Sequence, residues 1–167
     1  MRLDVVLPSD GDVFEHARRV WNADIDRRPA AIVRCRSSQD VAHAIGCCVL
    51  LKVDCTVRGG GHNVAGSAVH DGAVLLDLSQ LSRVELINGG DQVAVGGGAT
   101  WAAVDAVTAS VSRAVPAGLI SHTGVGGLTL GGGVGWLSRH AGLTCDSLVS
   151  AEVVTASGDI LTVTETQ

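Results

Sequence analysis

The chain has 167 residues, 46% of them apolar and 17% charged, which suits one globular domain with a sizeable core and excludes a disordered chain. A net charge of −5 and a pI near 5.6 argue against bulk binding to nucleic acid or to an anionic membrane. Asp4, Asp10 and Asp12 stand where an export signal needs a cationic start and an apolar core, and no run is long enough to span a bilayer, so a soluble, cytoplasmic protein is expected.

In chain order, residues 10–22 read as a helix with Val13, Ala17 and Val20 on one face, and "RRP" at 27–29 closes this leader, residues 1–28. The domain proper, residues 29–167, then opens with "AAIVRCR", a short strand. "SSQDVAHAIGCCVLLK" follows as a helix, capped by Ser37 or Ser38, with Val41, Ile45, Cys48 and Val49 at helical spacing. "VDCTVR" is the next strand, so the unit is strand, helix, strand, and "RGGGHN" lies at its C-terminal end. "AVLLDLS", "VELI" and "QVAVGGG" read as strands, the last two joined by the turn "NGGD" at 88–91 into a hairpin. "TWAAVDAVTASV" carries Trp101, Val104, Thr108 and Val111 on one helical face behind the candidate cap Thr100. A helical "WLSRH" comes after residues 124–135, and "VSAEVVTASGDILTVTE" closes the chain as a hairpin turning at Ser157 to Asp159. The class is α+β.

Five cysteines, at 35, 47, 48, 55 and 145, are odd in number and lack a C-x-x-C pair, a pattern of free core thiols and not of a disulfide framework or zinc site. The 22 glycines carry more information. Gly59 to Gly61 form one cluster, and residues 124–135 hold seven more glycines. Backbone N–H groups in such loops cradle phosphate oxygens, and a diphosphate between the two loops fits the pattern. No lysine follows either run, since Lys52 precedes the first, so a Walker loop is excluded. The dinucleotide fingerprint also fails, because Thr129 occupies the place of its third glycine. The alternative is that the glycines serve tight packing and bulges.

"RGGGHN", "AVLLDLSQLSRVEL", "QVAVGGGATWAAVDA" and "AVPAGLISHTGVGGLTLGGGVGWLSRHAGLTCDSLVSAEVVTASGDI", in that order, resemble the FAD-binding domain of the berberine-bridge-enzyme-like oxidases. That family belongs to the vanillyl-alcohol-oxidase and p-cresol-methylhydroxylase flavoproteins. The resemblance runs from about Pro29 to the last residue. It implies two small α+β subdomains with FAD between them and an oxidoreductase that takes hydride from an alcohol, sugar or similar small molecule and passes electrons to oxygen.

The resemblance also assigns residues. Arg58, Gly59, Gly60, Gly61, His62 and Asn63 would cradle the FAD diphosphate, with Gly66 and Ser67 beside them. Thr123, Gly124, Gly126, Gly127, Thr129, Gly132, Gly135 and Asp146 would line the other side, although Asp146 reads equally as a turn residue. His62 would be joined covalently to the flavin 8α carbon. Relatives with a second, cysteinyl linkage carry cysteine where this chain has Ile120, so a histidyl bond alone is implied. His122 could face the flavin, but for it, as for His16, His43, His70 and His140, a surface or packing role is expected, and Trp136 is expected in the core. There is no tyrosine, the family's frequent catalytic base, so no base is assigned. The chain is expected to be the cofactor part of a larger enzyme, ending before the substrate domain, with a complementing C-terminal half as its possible partner. The alternatives are a catalytically inactive flavin-binding or interaction module, and a fragment that cannot hold FAD.

Overall fold

The structure, a computed structural model, describes residues 2–166. Its central sheet has four strands in the order β1, β2, β4, β3: Asp4–Val6, Ala31–Arg34, Val74–Asp77 and Cys55–Arg58. β2 and β3 flank β4 in parallel, and β1 closes one edge antiparallel to β2. The β1 strand was not expected from the sequence. It is three residues long and alternates too briefly to give a period.

Helix α1, Asp12–Ala17, is shorter than the expected 10–22, and its buried face is Phe14 and Ala17, leaving Val13 in solvent. Phe14, the chain's single phenylalanine, is enclosed by Val6, Ala17, Ile32 and Leu75, so the first residues contribute to the core. Helix α2, Ser38–Leu51, crosses between β2 and β3. Ser37 caps it, its Oγ accepting from the N–H of Asp40, while Asp40 Oδ2 accepts from Arg36 N–H. Val41, Ala44 and Cys48 are buried there, and Val41 and Ala44 join Val33, Cys35 and Leu76 in the second part of the core. Ile45 packs at its margin, and Val49, expected inside, is exposed. Each fully buried aliphatic side chain contributes about 1.5–3 kcal/mol. The helix ends at Lys52, which takes the left-handed conformation at φ 56°.

The rest of the chain is built from two hairpins and short helices. β5, Val84–Ile87, pairs with β6, Gln92–Val95, and β7, Ser150–Val154, with β8, Ile160–Thr164, both antiparallel as expected. α3, Trp101–Ala109, packs on the first hairpin and buries Trp101, Val104 and Thr108, the expected face; Val111 lies beyond its end and is exposed. Thr100 stands at the cap position without a side-chain cap bond. α4, Val125–Leu130, arises inside the second glycine-rich segment, where the sequence suggested an open loop. α5, Ser138–Ala141, is a single turn, and Trp136 lies outside it with 83% of its surface exposed, against the expectation of a core position. Cys35 and Cys48 are buried, Cys47 and Cys145 half-buried, and Cys55 exposed, so the thiols are not uniformly core. Among the described residues no helix is long and apolar enough to cross a membrane.

Candidate functional site

Three parallel strands end in charge. Register sets Arg34 on β2 and Arg58 on β3 on either side of Asp77 on β4, at the C-terminal edge where open sheets hold ligands. Arg58 Nη2 sits 2.9 Å from Asp77 Oδ2, with the two side chains only 11% and 4% exposed. Its Nη1 donates to the carbonyls of Ala17 and Arg19, at 2.5 and 2.8 Å. The Arg58 side chain therefore ties the sheet to the end of α1 and is committed to protein groups.

The first glycine loop leaves β3 from this anchor, and residues 21–28 strap it from outside. Trp21 N–H donates to the carbonyl of Gly61, Asn22 Nδ2 to that of Val64, and Arg27 Nη1 to those of Gly66 and Val69. Asn63 shapes the turn, its Oδ1 accepting from Ser67 N–H and its carbonyl from Gly66 N–H. Gly66, at φ 72°, presses on the Ile25 side chain. The strap thus occupies loop carbonyls. By contrast, the backbone N–H groups of Gly59 to Asn63 donate to no protein acceptor among the described residues. A row of uncommitted N–H donors at strand ends is the donor set that a phosphate group needs.

A cavity of about 640 Å³ lies along this loop, lined by Gly59 to His62 and by His122, Trp21, Arg19, Arg34 and Ser79. His62 and His122 meet there, Nε2 to Nδ1, at 2.6 Å, and Trp21 stacks on the His62 ring with centroids 5.1 Å apart. Burial first, and then His122, lowers the His62 pKa below its usual value and favours the neutral ring. His122 is therefore not an idle surface histidine.

The second segment touches the first without leaving space between them. Gly60 and Gly124 meet backbone to backbone, so that a Cβ on either would overlap the other. Gly59 and Gly126 both face the carbonyl of Gly97, where a Cβ would stand 3.0 and 3.2 Å from its oxygen. A ligand wedged between two separate loops has no room at this contact; the open space lies beside the first loop. Thr123 N–H donates to Ile120 while its carbonyl accepts from Trp101, and Thr129 Oγ1 donates to the carbonyl of Val125 in its own helix. Gly135 abuts Ala117, and Gly132 accepts from Cys145 N–H. Asp146 Oδ2 accepts from Leu143 N–H and closes a local turn. Of the predicted set, the structure gathers Arg58 to His62 on the cavity; Gly124 reaches it only through the contact with Gly60, and Gly127, Thr129, Gly132, Gly135 and Asp146 do not line it.

Trp21, Arg19, Arg34 and Ser79 were missed as lining residues, since they lie far apart in sequence. One signal was present: the strands "AIVR", "CTVR" and "VLLD" each end in a charge, a row that parallel register turns into neighbours.

The fold is that of an FAD-binding domain of the p-cresol-methylhydroxylase type. The family model described as "FAD binding domain" matches residues 29–164, and the chain belongs to that family. It is 33% identical over 158 residues to (R)-6-hydroxynicotine oxidase of Paenarthrobacter nicotinovorans, a match covering 95% of this chain and 34% of that protein. The crystal structure of 6-hydroxy-D-nicotine oxidase from Arthrobacter nicotinovorans superposes with a TM-score of 0.95 at 31% identity, covering 100% of this chain and 37% of the other. Glucooligosaccharide oxidase from Acremonium strictum, described with a 6-S-cysteinyl, 8α-N1-histidyl FAD, superposes at 0.91 and 31% identity, covering 98% and 35%. The chain spans about a third of the length of the relatives it matches.

Proposed function

We propose that this chain is the cofactor-holding part of an FAD-linked oxidoreductase, in which the N–H groups of Gly59 to Asn63 receive the FAD diphosphate and His62 forms one covalent bond to the flavin. The observation that carries the reading is the uncommitted N–H row beside a half-buried, neutral-leaning histidine on a single cavity. The donor set fits a diphosphate: its N–H groups are free while neighbouring carbonyls are held by the strap. FAD would supply the hydride acceptor and, through it, electron transfer to oxygen. The chain's own residues bind and orient it. Arg58 and Asp77 fix the loop's root, Trp21 and His122 fix the His62 ring, and Arg19 and Arg34 add positive charge along the cavity wall.

A single histidyl bond is proposed because Ile120 stands at the position of the second tether, two residues before His122. The substrate is proposed to be an alcohol, sugar or similar small molecule, in keeping with relatives that include glucooligosaccharide oxidase. Leu130, Val134 and Trp136 are 87%, 69% and 83% exposed, an apolar surface that supports packing by further polypeptide, the proposed substrate-bearing partner.

The test is to denature the purified protein in acid, wash it, and look for flavin absorbance on the peptide that contains His62. Flavin that survives this treatment, and is absent from His62→Ala, supports the reading. A folded protein that binds no FAD sinks it.

A further inference from the structure

We propose that His122 is a positioning residue for flavin attachment: it accepts the Nε2 proton of His62 and thereby leaves Nδ1 as the attacking nitrogen. The inference rests on the reading of His62 as the flavin-bearing residue.

Two ring nitrogens 2.6 Å apart share one proton, with one donating and the other accepting. If His122 donated, His62 would carry its own proton on Nδ1, and its one lone pair, on Nε2, would be occupied by the hydrogen bond. Such a ring has no nitrogen with which to attack. If His122 accepts, the proton sits on Nε2 and the lone pair on Nδ1, which makes no hydrogen bond to protein among the described residues. The ring is also held in place. Trp21 stacks on it at 5.1 Å with an interplanar angle of 21°, and His122 holds its Nε2 edge, with the ring centroids 4.6 Å apart, so rotation of His62 gives up both contacts. Burial and the same neighbour lower the His62 pKa and so favour the neutral, nucleophilic ring. His122 itself is exposed, which gives the proton a route to water.

The chemistry balances through this pair. Attachment forms a bond between His62 Nδ1 and the flavin 8α carbon and breaks one C–H bond at that carbon. Two protons leave, one from the 8α carbon and one from Nε2 through His122 to solvent. The electron pair of the broken C–H bond reduces the flavin, and dioxygen removes two electrons and two protons as hydrogen peroxide.

The experiment uses the full chain, prepared without flavin and mixed with FAD in aerated buffer. Two quantities are read: FAD affinity before attachment, by fluorescence quenching, and the rate at which acid-stable flavin appears on the His62 peptide. His122→Ala is expected to slow attachment about tenfold or more, a larger factor than any loss it causes in FAD affinity. His122→Asn, whose Oδ1 still accepts from Nε2–H, is expected to fall between the two. Thermal melts of both variants should match wild type, because residue 122 is an exposed loop position. Attachment at the wild-type rate in His122→Ala overturns this inference alone, as does an asparagine variant no faster than alanine. A wild-type chain that binds FAD and never attaches it overturns the reading of His62 together with this one.

Discussion

The two glycine-rich segments are alike in composition and opposite in use. The first, at 59–66, has its root pinned by Arg58 and Asp77, carbonyls held by residues 21–27, and the N–H groups of Gly59 to Asn63 without a protein acceptor among the described residues, Gly59 to His62 lining a cavity. In the second, Gly124 presses on Gly60, Gly133 on Thr144 and Gly135 on Ala117, so its glycines are largely consumed where backbone meets neighbouring atoms. A glycine run in a sequence therefore marks close approach, and what approaches is decided elsewhere in the chain. Packing, one of the two explanations the sequence offered, is realised in the second segment, and the two segments meet at Gly60; phosphate cradling is what we propose for the first.

The strongest test of this contrast is Arg58→Met. It leaves the enclosed Asp77 carboxylate without its cation and frees the carbonyls of Ala17 and Arg19, so a loss of about 3–5 kcal/mol is expected in chemical denaturation. A cost near zero would mean the loop is not anchored there. Gly60→Ala or Gly124→Ala should cost about 1–3 kcal/mol, since the added methyl meets backbone that cannot step aside, and either should weaken FAD retention. Asn22→Ala removes one strap bond, to Val64, and is expected to cost about 1 kcal/mol and to raise amide hydrogen exchange in the loop. Gly127→Ala runs the other way. A Cβ there meets nothing within 4 Å and the residue lies in α4, so a gain of up to about 1 kcal/mol is expected; a loss would show that this glycine is also needed for contact.

The smallest effect is in titration. The depressed pKa of His62 means that the unfolded chain takes up its proton first as pH falls, so its contribution to stability is unchanged above the unfolded value of 6.5 and declines below it. Ring NMR should place the His62 midpoint below that of a free histidine, and His122→Ala should raise it. An unmoved midpoint would remove His122 from the causes of the shift.

Much of the frame is legible in the sequence. Ser37 announced α2, "NGGD" announced the first hairpin, and the spacing of Trp101, Val104 and Thr108 gave the buried face of α3, because each signal is local. The errors were also physical. β1 is too short to show alternation, and its place in the sheet depends on pairing with residues some thirty positions away. α4 forms in spite of two glycines where the chain entering it is held, Val125 N–H by the carbonyl of Ala99 and Gly124 by the contact with Gly60. In the site, the loop and His62 stood out from the triple glycine, while Trp21 and His122 reach His62 from 41 positions before and 60 positions after it, distances at which no periodicity operates.

The strap has one more consequence, in the timing of entropy. Trp21, Asn22 and Arg27 order the 59–66 backbone as the chain folds, with their hydrogen bonds offsetting the freedom that glycines surrender. Ligand capture then meets a loop already in place and need not order it again. Loosening residues 21–27 would return that freedom to the loop, and the same free energy would be subtracted from its hold on whatever it binds.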